Sequence, residues 1–334
     1  MTPEFALIER FFTRDASSPF VRLGVGDDCA LLDPTPGKSL AISTDTLVTG
    51  VHFFADAEPE SLGHKALAVN LSDLAAMGAT ACACTLALTL PSVDEAWLAA
   101  FSRGFFALAD QHGCALIGGD TTRGPLSITI TVFGELDAAH ALRRDRAQAN
   151  DDVWLSGSVG GAALGLAHLQ GKLTLAPNVL PRALARLHRP TPQLALGARL
   201  LGVARAAIDV SDGLVADLGH IGRRSVHGSA LTAVIDWPRV PLHPSLLSVA
   251  PDMRQQCALT GGDDYELCFT AAAEQRAAIE SIAAELGVSL TRIGSMQAAV
   301  GNEPHVVVRD AQGAAMALAS SGYDHFTPSA SPAA

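Results

Sequence analysis

The chain has 334 residues, a hydrophobic fraction of 49% and a formal net charge of −11. Its length exceeds the size at which one hydrophobic core usually stops growing, so two domains are expected. The acidic balance argues against a nucleic-acid backbone or an anionic membrane as the main partner, since both select for basic surface.

In chain order, Glu4 to Phe12 repeats apolar residues at helical spacing until Ser17, Ser18 and Pro19 interrupt it. The start is amphipathic and acidic, unlike a secretory signal. No apolar stretch approaches the roughly 20 residues that span a bilayer, so a soluble, cytoplasmic protein is expected. Ser39 to Val48 reads as a strand, and Glu60 to Met77 as a helix ended by Gly78. That helix puts Asn70 and Asp73 three residues apart on one face, as plausible co-ligands. Cys82 to Leu90 and Ser127 to Leu136 read as strands, the second alternating Ile and Thr, with a helix from Glu95 to Gln111 between them. This makes an α/β half. Ala138 to Asp151 lacks strong periodicity and reads as a linker.

Asp152 to Gly161 looks like a strand entering a glycine turn, then a helix through Gln170. Helices are expected at Pro181 to His188, at Gln193 to Leu201 and from Gly213 to Arg224. Strands at Tyr265 to Thr270 and His305 to Arg309 flank a helix from Glu274 to Leu286, giving an α+β half. Thr327 to Ala334 has disordered composition. The expected division is 1–140, 147–326 and a tail at 327–334.

Six short acidic clusters punctuate these elements: GVGDD (Gly24 to Asp28), STDT (Ser43 to Thr46), NLSD (Asn70 to Asp73), GGDTT (Gly118 to Thr122), DVSDG (Asp209 to Gly213) and GGDD (Gly261 to Asp264). Each alone has a plain structural reading: Gly119-Asp120-Thr121 as a loop, and Ser211 or Asp212 as a helix cap. Their number, and the hydroxyls beside the acids, point instead to an assembled site for hard cations such as Mg²⁺ or Ca²⁺. The six cysteines show no Cys-x-x-Cys spacing and the eleven histidines no His-x-x-x-His pair, so soft-metal chemistry is not indicated.

Other nucleotide scaffolds fail on spacing. Gly37-Lys38-Ser39 lacks the P-loop glycine, because Leu32 stands in its place. Gly157, Gly160 and Gly161 miss the dinucleotide fingerprint and read as a tight strand-to-helix turn. The protein-kinase signatures are absent, as is an EF-hand loop. A two-metal phosphohydrolase would commonly use His, which these clusters almost lack.

Taken in order, GVGDDCALL, STDTLVTGVHF, HKALAVNLSDLAAMGA, IGGDTTRG, AIDVSDGLVADLGHI, TGGDDYELCFT and GYDHF resemble the thiamine-monophosphate kinase family, from about Phe5 to Phe326. The wider superfamily includes aminoimidazole ribonucleotide synthetase, selenophosphate synthetase and a hydrogenase maturation factor. The resemblance implies a two-domain aminoimidazole ribonucleotide synthetase-like fold, α/β plus α+β, with the N-terminal sheet pairing across a homodimer. It implies Mg²⁺-dependent transfer of a phosphoryl group from ATP to thiamine monophosphate. A sister synthetase acting on another acceptor is the alternative.

By the same resemblance, Asp28, Ser43, Thr44, Asp45, Asp73, Asp120, Asp209 and Asp212 would hold several Mg²⁺ ions. Gly119, Asp120, Arg144 and Ser211 would contact ATP, and His52, Asp263 and Tyr323 the thiamine phosphate. No residue is expected as general base, because a phosphate monoester is largely dianionic at neutral pH. Asp263 stands where the family usually has Glu.

Overall fold

The computed structural model describes residues 3–14, 18–225, 230–299, 305–318 and 322–323. Asp324, His325 and Phe326 of the GYDHF run, and the tail at 327–334, lie outside them. The helices and strands in chain order are α1 (Pro3–Phe12), β1 (Val21–Leu23), β2 (Leu31–Leu32), β3 (Ser39–Val48), α2 (Pro59–Met77), β4 (Thr80–Leu90), α3 (Glu95–His112), β5 (Ala115–Arg123) and β6 (Ser127–Leu136). There follow β7 (Asp152–Ser156), α4 (Gly161–Leu169), α5 (Leu180–His188), α6 (Leu194–Leu200), β8 (Ala206–Asp209), α7 (Leu214–Arg224) and β9 (Leu231–Asp236). The last are α8 (Pro251–Thr260), β10 (Leu267–Ala271), α9 (Arg276–Leu286), β11 (Leu290–Ala298) and β12 (Val306–Arg309).

The chain forms two compact units, and they are not contiguous in sequence. The first takes the chain up to Arg143 together with His188–Asp209 and Ala284–Leu286. The expected cut at 140/147 therefore misses two returning segments. The first return is held by packing, since α6 and β8 both lie against α2. The second is tied by Arg199 Nη2 to Glu285 Oε2 at 2.6 Å.

In the first unit the strand order is β3-β6-β4-β5. β6 runs antiparallel to both neighbours, whereas β4 and β5 are parallel, with α3 as the crossover between them. The Ile/Thr alternation of β6 does what period two requires: Ile128, Ile130 and Val132 are buried and the intervening threonines are not. The buried face is covered by α2. Most of that helix is buried, as expected of a helix enclosed on several sides. It approaches α3 closely: a Cβ on Gly63 would stand 2.1 Å from Phe101 O, and one on Gly104 1.8 Å from Glu60 O. Lys65, Asn70 and Ser72 are nevertheless buried in α2. Buried polar groups of this kind need partners and are the informative exceptions.

The second unit carries strands in the order β12-β9-β11-β7-β10. β12 and β9 pair in parallel, whereas β9 with β11, β11 with β7 and β7 with β10 are antiparallel. α7 packs on β9 and β12, and α4 and α7 each meet α8. The glycine turn between β7 and α4 is as expected, with Gly160 at φ 87 beginning the helix. All six cysteines are unbridged and five are buried, consistent with small structural hydrophobes. Among the described residues no helix is long and apolar enough to cross a membrane.

Candidate active site

In the first unit α2 organises the acids. Asn70 Oδ1 accepts the backbone N–H of Asp45 at 3.0 Å, while its Nδ2 donates to Ala66 O at 2.9 Å. Both ends of the amide are thus engaged, and Asn70 aims β3 by holding its backbone at Asp45. Ser43 Oγ donates to Asp73 Oδ2. Ser72 Oγ, fully buried, donates to Asp209 Oδ2 at 2.8 Å at the end of β8. Three residues within one turn of α2, Asn70, Ser72 and Asp73, thereby gather β3 and β8, and Ser43, Asp45 and Asp209 are all tied to the same stretch of one helix.

Thr44 is set apart from this group. The period of two turns it to the other face of β3, where its Oγ1 lies 2.8 Å from Thr131 Oγ1. Asp120 lies on a strand, because the GGDTT run, whose plain structural reading was a loop, is the second half of β5. Its register places Asp120 opposite Ala87, on a row that continues through Thr129 to Thr46. This row lies on the face that α2 leaves open. Gly119 before it has φ 151, and a Cβ there would lie 1.8 Å from Leu86 O, so only glycine lets β5 run on to present Asp120. Asp28 is exposed, its N–H bonded to Asp27 Oδ1 at 2.8 Å. His52 is half-buried just after β3, with Nδ1 accepting the N–H of Val48 at 3.0 Å.

In the second unit the turn Val210–Gly213 is the hub. Neither Ser211 nor Asp212 caps α7. The cap position falls on Gly213, and Asp217 Oδ2 inside the helix accepts the N–H groups of Ser211, Asp212 and Gly213 at 3.0, 3.0 and 3.1 Å. Sequence reasoning missed Asp217, although an acid four residues after a glycine at a helix start was a readable sign. The turn's carbonyls reach outward: Ser211 O accepts Asp263 N–H at 2.8 Å and Asp212 O accepts Tyr323 N–H at 3.0 Å. Tyr323 itself is 52% exposed. Arg144 is exposed, and its carbonyl accepts Ser225 Oγ at 2.9 Å.

Asp263 and Tyr265 both adopt left-handed backbone, at φ 68 and φ 52. Asp enters that region more readily than most residues, and the Tyr265 hydroxyl supports it with a 3.1 Å bond to Asp263 Oδ1. Between them Asp264 turns inward, fully buried, and accepts Gly160 N–H at 2.7 Å. Burial pushes its carboxyl up to about 8 despite that amide and the nearby Arg186. Glu266 accepts Ser156 Oγ at 2.6 Å and Arg186 Nη2 at 2.9 Å, and the same Nη2 also holds Asp264 O at 2.9 Å. Within the GGDD run Asp263 is half-buried, while Asp264, with Glu266 just after it, braces it from within.

The donors collected in each unit are carboxylate and hydroxyl oxygens, the set that suits Mg²⁺ and fits the expected ions. Among the described residues, no three His, Cys, Asp or Glu side chains converge into a single preformed cage.

A family model for the N-terminal domain of AIR synthase related proteins matches residues 26–136, the sheet region of the first unit. The thiamine-monophosphate kinase of Salmonella typhimurium is 47% identical over 326 residues, covering 97% of this chain and 98% of that enzyme. The crystal structure of thiamine-monophosphate kinase from Stenotrophomonas maltophilia K279a superposes with a TM-score of 0.84 at 48% identity, covering 94% of this chain and 98% of the other. A further structure, AaThiL complexed with AMPPCP and TMP, superposes with a TM-score of 0.74 at 28% identity over 96% of each chain. With nearly half its residues shared along almost its whole length, the chain belongs to the thiamine-monophosphate kinase family.

Proposed function

We propose that this protein transfers the γ-phosphate of ATP to the phosphate of thiamine monophosphate, forming thiamine diphosphate and ADP. The observation that carries the reading is the tethering of Ser43, Asp45 and Asp209 to one stretch of α2, in a chain that belongs to this kinase family. A relative that binds an ATP analogue together with TMP supports the substrate pair.

The roles are proposed unit by unit. On the first unit Asp28, Ser43, Thr44, Asp45, Asp73, Asp120 and Asp209 would hold Mg²⁺, with Thr44 contributing its carbonyl because its hydroxyl faces Thr131. Gly119 and Asp120 would also meet ATP, and His52 the thiamine phosphate. On the second unit Asp212 would hold Mg²⁺, Arg144 and Ser211 would contact ATP, and Asp263 and Tyr323 would receive the thiamine phosphate. Bound Mg²⁺ supplies neutralisation and alignment of the phosphate groups. The chain's own residues fix where the two substrates can lie. The acceptor is largely dianionic at neutral pH, so no residue need remove a proton from it. An exposed aromatic ring at Tyr323 and a carboxylate at Asp263, both anchored through their amides to the 211–212 carbonyls, suit a permanently cationic thiazolium ring.

Two further features belong to the same reading. The open face of the first unit exposes Leu40, Ile42 and Val48 on β3, an apolar edge suited to pairing with a second copy in a homodimer. Unbridged cysteines accord with a cytoplasmic location. Magnesium-dependent release of ADP across a panel of phosphorylated acceptors tests the substrate assignment. Release with thiamine monophosphate alone is expected, and release only with another acceptor would point to a sister activity. Transfer from ATP chiral at the γ-phosphate should invert configuration, and retention would contradict direct in-line transfer.

A further inference from the structure

The roles above leave Asp217 without one, although it is 3% exposed and spends a single oxygen on three backbone N–H groups. An anionic oxygen facing three converging amides makes a strong, charge-assisted contact. An ordinary cap of α7 would instead run from the side chain of the residue before the helix to N–H groups inside the first turn. Here that residue is Gly213, at φ 123 and ψ 143, which has no side chain to offer. Asp217 turns back to the three amides that precede the helix, so they are satisfied by neither Ser211 nor Asp212, the two residues assigned to nucleotide and metal.

The same turn is bonded from its other side. Its carbonyls at Ser211 and Asp212 accept the amides of Asp263 and Tyr323, the two residues assigned to the thiamine phosphate in this unit, and Val210 O accepts the amide of Tyr265 at 2.8 Å. One carboxylate therefore sits behind a peptide turn whose side chains serve one substrate and whose carbonyls carry the residues that serve the other. We propose that Asp217 is a positioning residue that locks these two sets into a common register, so that order imposed on one side is transmitted to the other. The inference rests on the role assignment of the preceding section. Its geometry, however, can be tested without catalysis.

The full chain carrying Asp217→Ala, and separately Asp217→Asn, is compared with the parent by amide hydrogen exchange and by steady-state kinetics. Exchange should quicken at Ser211, Asp212 and Gly213, and also at Asp263 and Tyr323, whose amides Asp217 does not touch. The KM values for ATP and for thiamine monophosphate should both rise, by about tenfold or more, as is typical when a group supporting metal ligands is removed. Asn keeps one acceptor oxygen but loses the charge, so it should fall between parent and Ala. A contact that only closes the local turn would speed exchange at 211–213, leave Asp263 and Tyr323 unchanged and leave both KM values where they were, and that result overturns the proposal. Should the Ala variant fail to fold, the Asn variant must still quicken exchange at Asp263 and Tyr323, and parent-like exchange there would overturn it equally. If the parent itself forms no thiamine diphosphate, the kinase reading fails, while the exchange data alone still decide the role of Asp217.

Discussion

Ser72→Ala removes a single buried oxygen, and the structure says where the loss should appear. The Ser72 hydroxyl is fully buried and donates at 2.8 Å to Asp209, itself only 4% exposed. A hydrogen bond to a charged group contributes about 1.5–3 kcal/mol, and a buried acceptor left without its donor forfeits that. At about 1.4 kcal/mol per factor of ten, the loss corresponds to roughly a tenfold to hundredfold weakening of whatever depends on that carboxylate's orientation. If Asp209 is a metal ligand, the half-saturating Mg²⁺ concentration for ADP release should rise by that factor, with thermal stability in excess Mg²⁺ and ATP largely restored. The assay is a Mg²⁺ titration of ADP release beside unfolding scans with and without Mg²⁺ and ATP. A variant that unfolds earlier yet keeps the parent's Mg²⁺ dependence would show that the bond only packs β8 against α2, and the metal reasoning for Asp209 would fall.

Asp264→Asn tests the buried brace beneath Asp263. The Asp264 carboxyl is raised to about 8 by burial, so the folded state keeps a proton that the unfolded chain releases above about pH 4. Its contribution to stability is complete at low pH and is lost as pH rises toward 8. Asn stays neutral throughout, so the decline in thermal stability between about pH 5 and 8 should flatten, and an unchanged slope would contradict the assignment. Tyr323→Ala should raise the KM for thiamine monophosphate much more than that for ATP, and equal effects would place Tyr323 outside the substrate site. Ile42→Asp puts a charge on a residue 58% exposed on the open strand face. It should shift sedimentation from dimer to monomer, whereas a parent-like profile would remove that face from the proposed interface.

The chemistry of the site was more legible than its geometry. β6 announced itself by alternation and α2 by its length and its stop at Gly78, which takes φ 74. The GGDTT run looked like a loop because Gly, Asp and Thr are turn residues. It becomes strand only through its pairing with β4, which local composition cannot express. β8, β9, β11 and α8 passed unmarked for related reasons: β8 has four residues, and polar side chains interrupt β11 and α8. The return of His188–Asp209 to the first unit depends on packing against α2, a long-range fact with no local sign. Acid types and clusters could be read directly from sequence. That Asn70 aims β3 and that Thr44 faces away required the structure.

The central claim is the reaction itself. Purified protein incubated with ATP, Mg²⁺ and thiamine monophosphate, then resolved by chromatography, should yield thiamine diphosphate and ADP in equal amounts, and neither when Mg²⁺ is chelated. Folded protein that forms no thiamine diphosphate under these conditions would contradict the account.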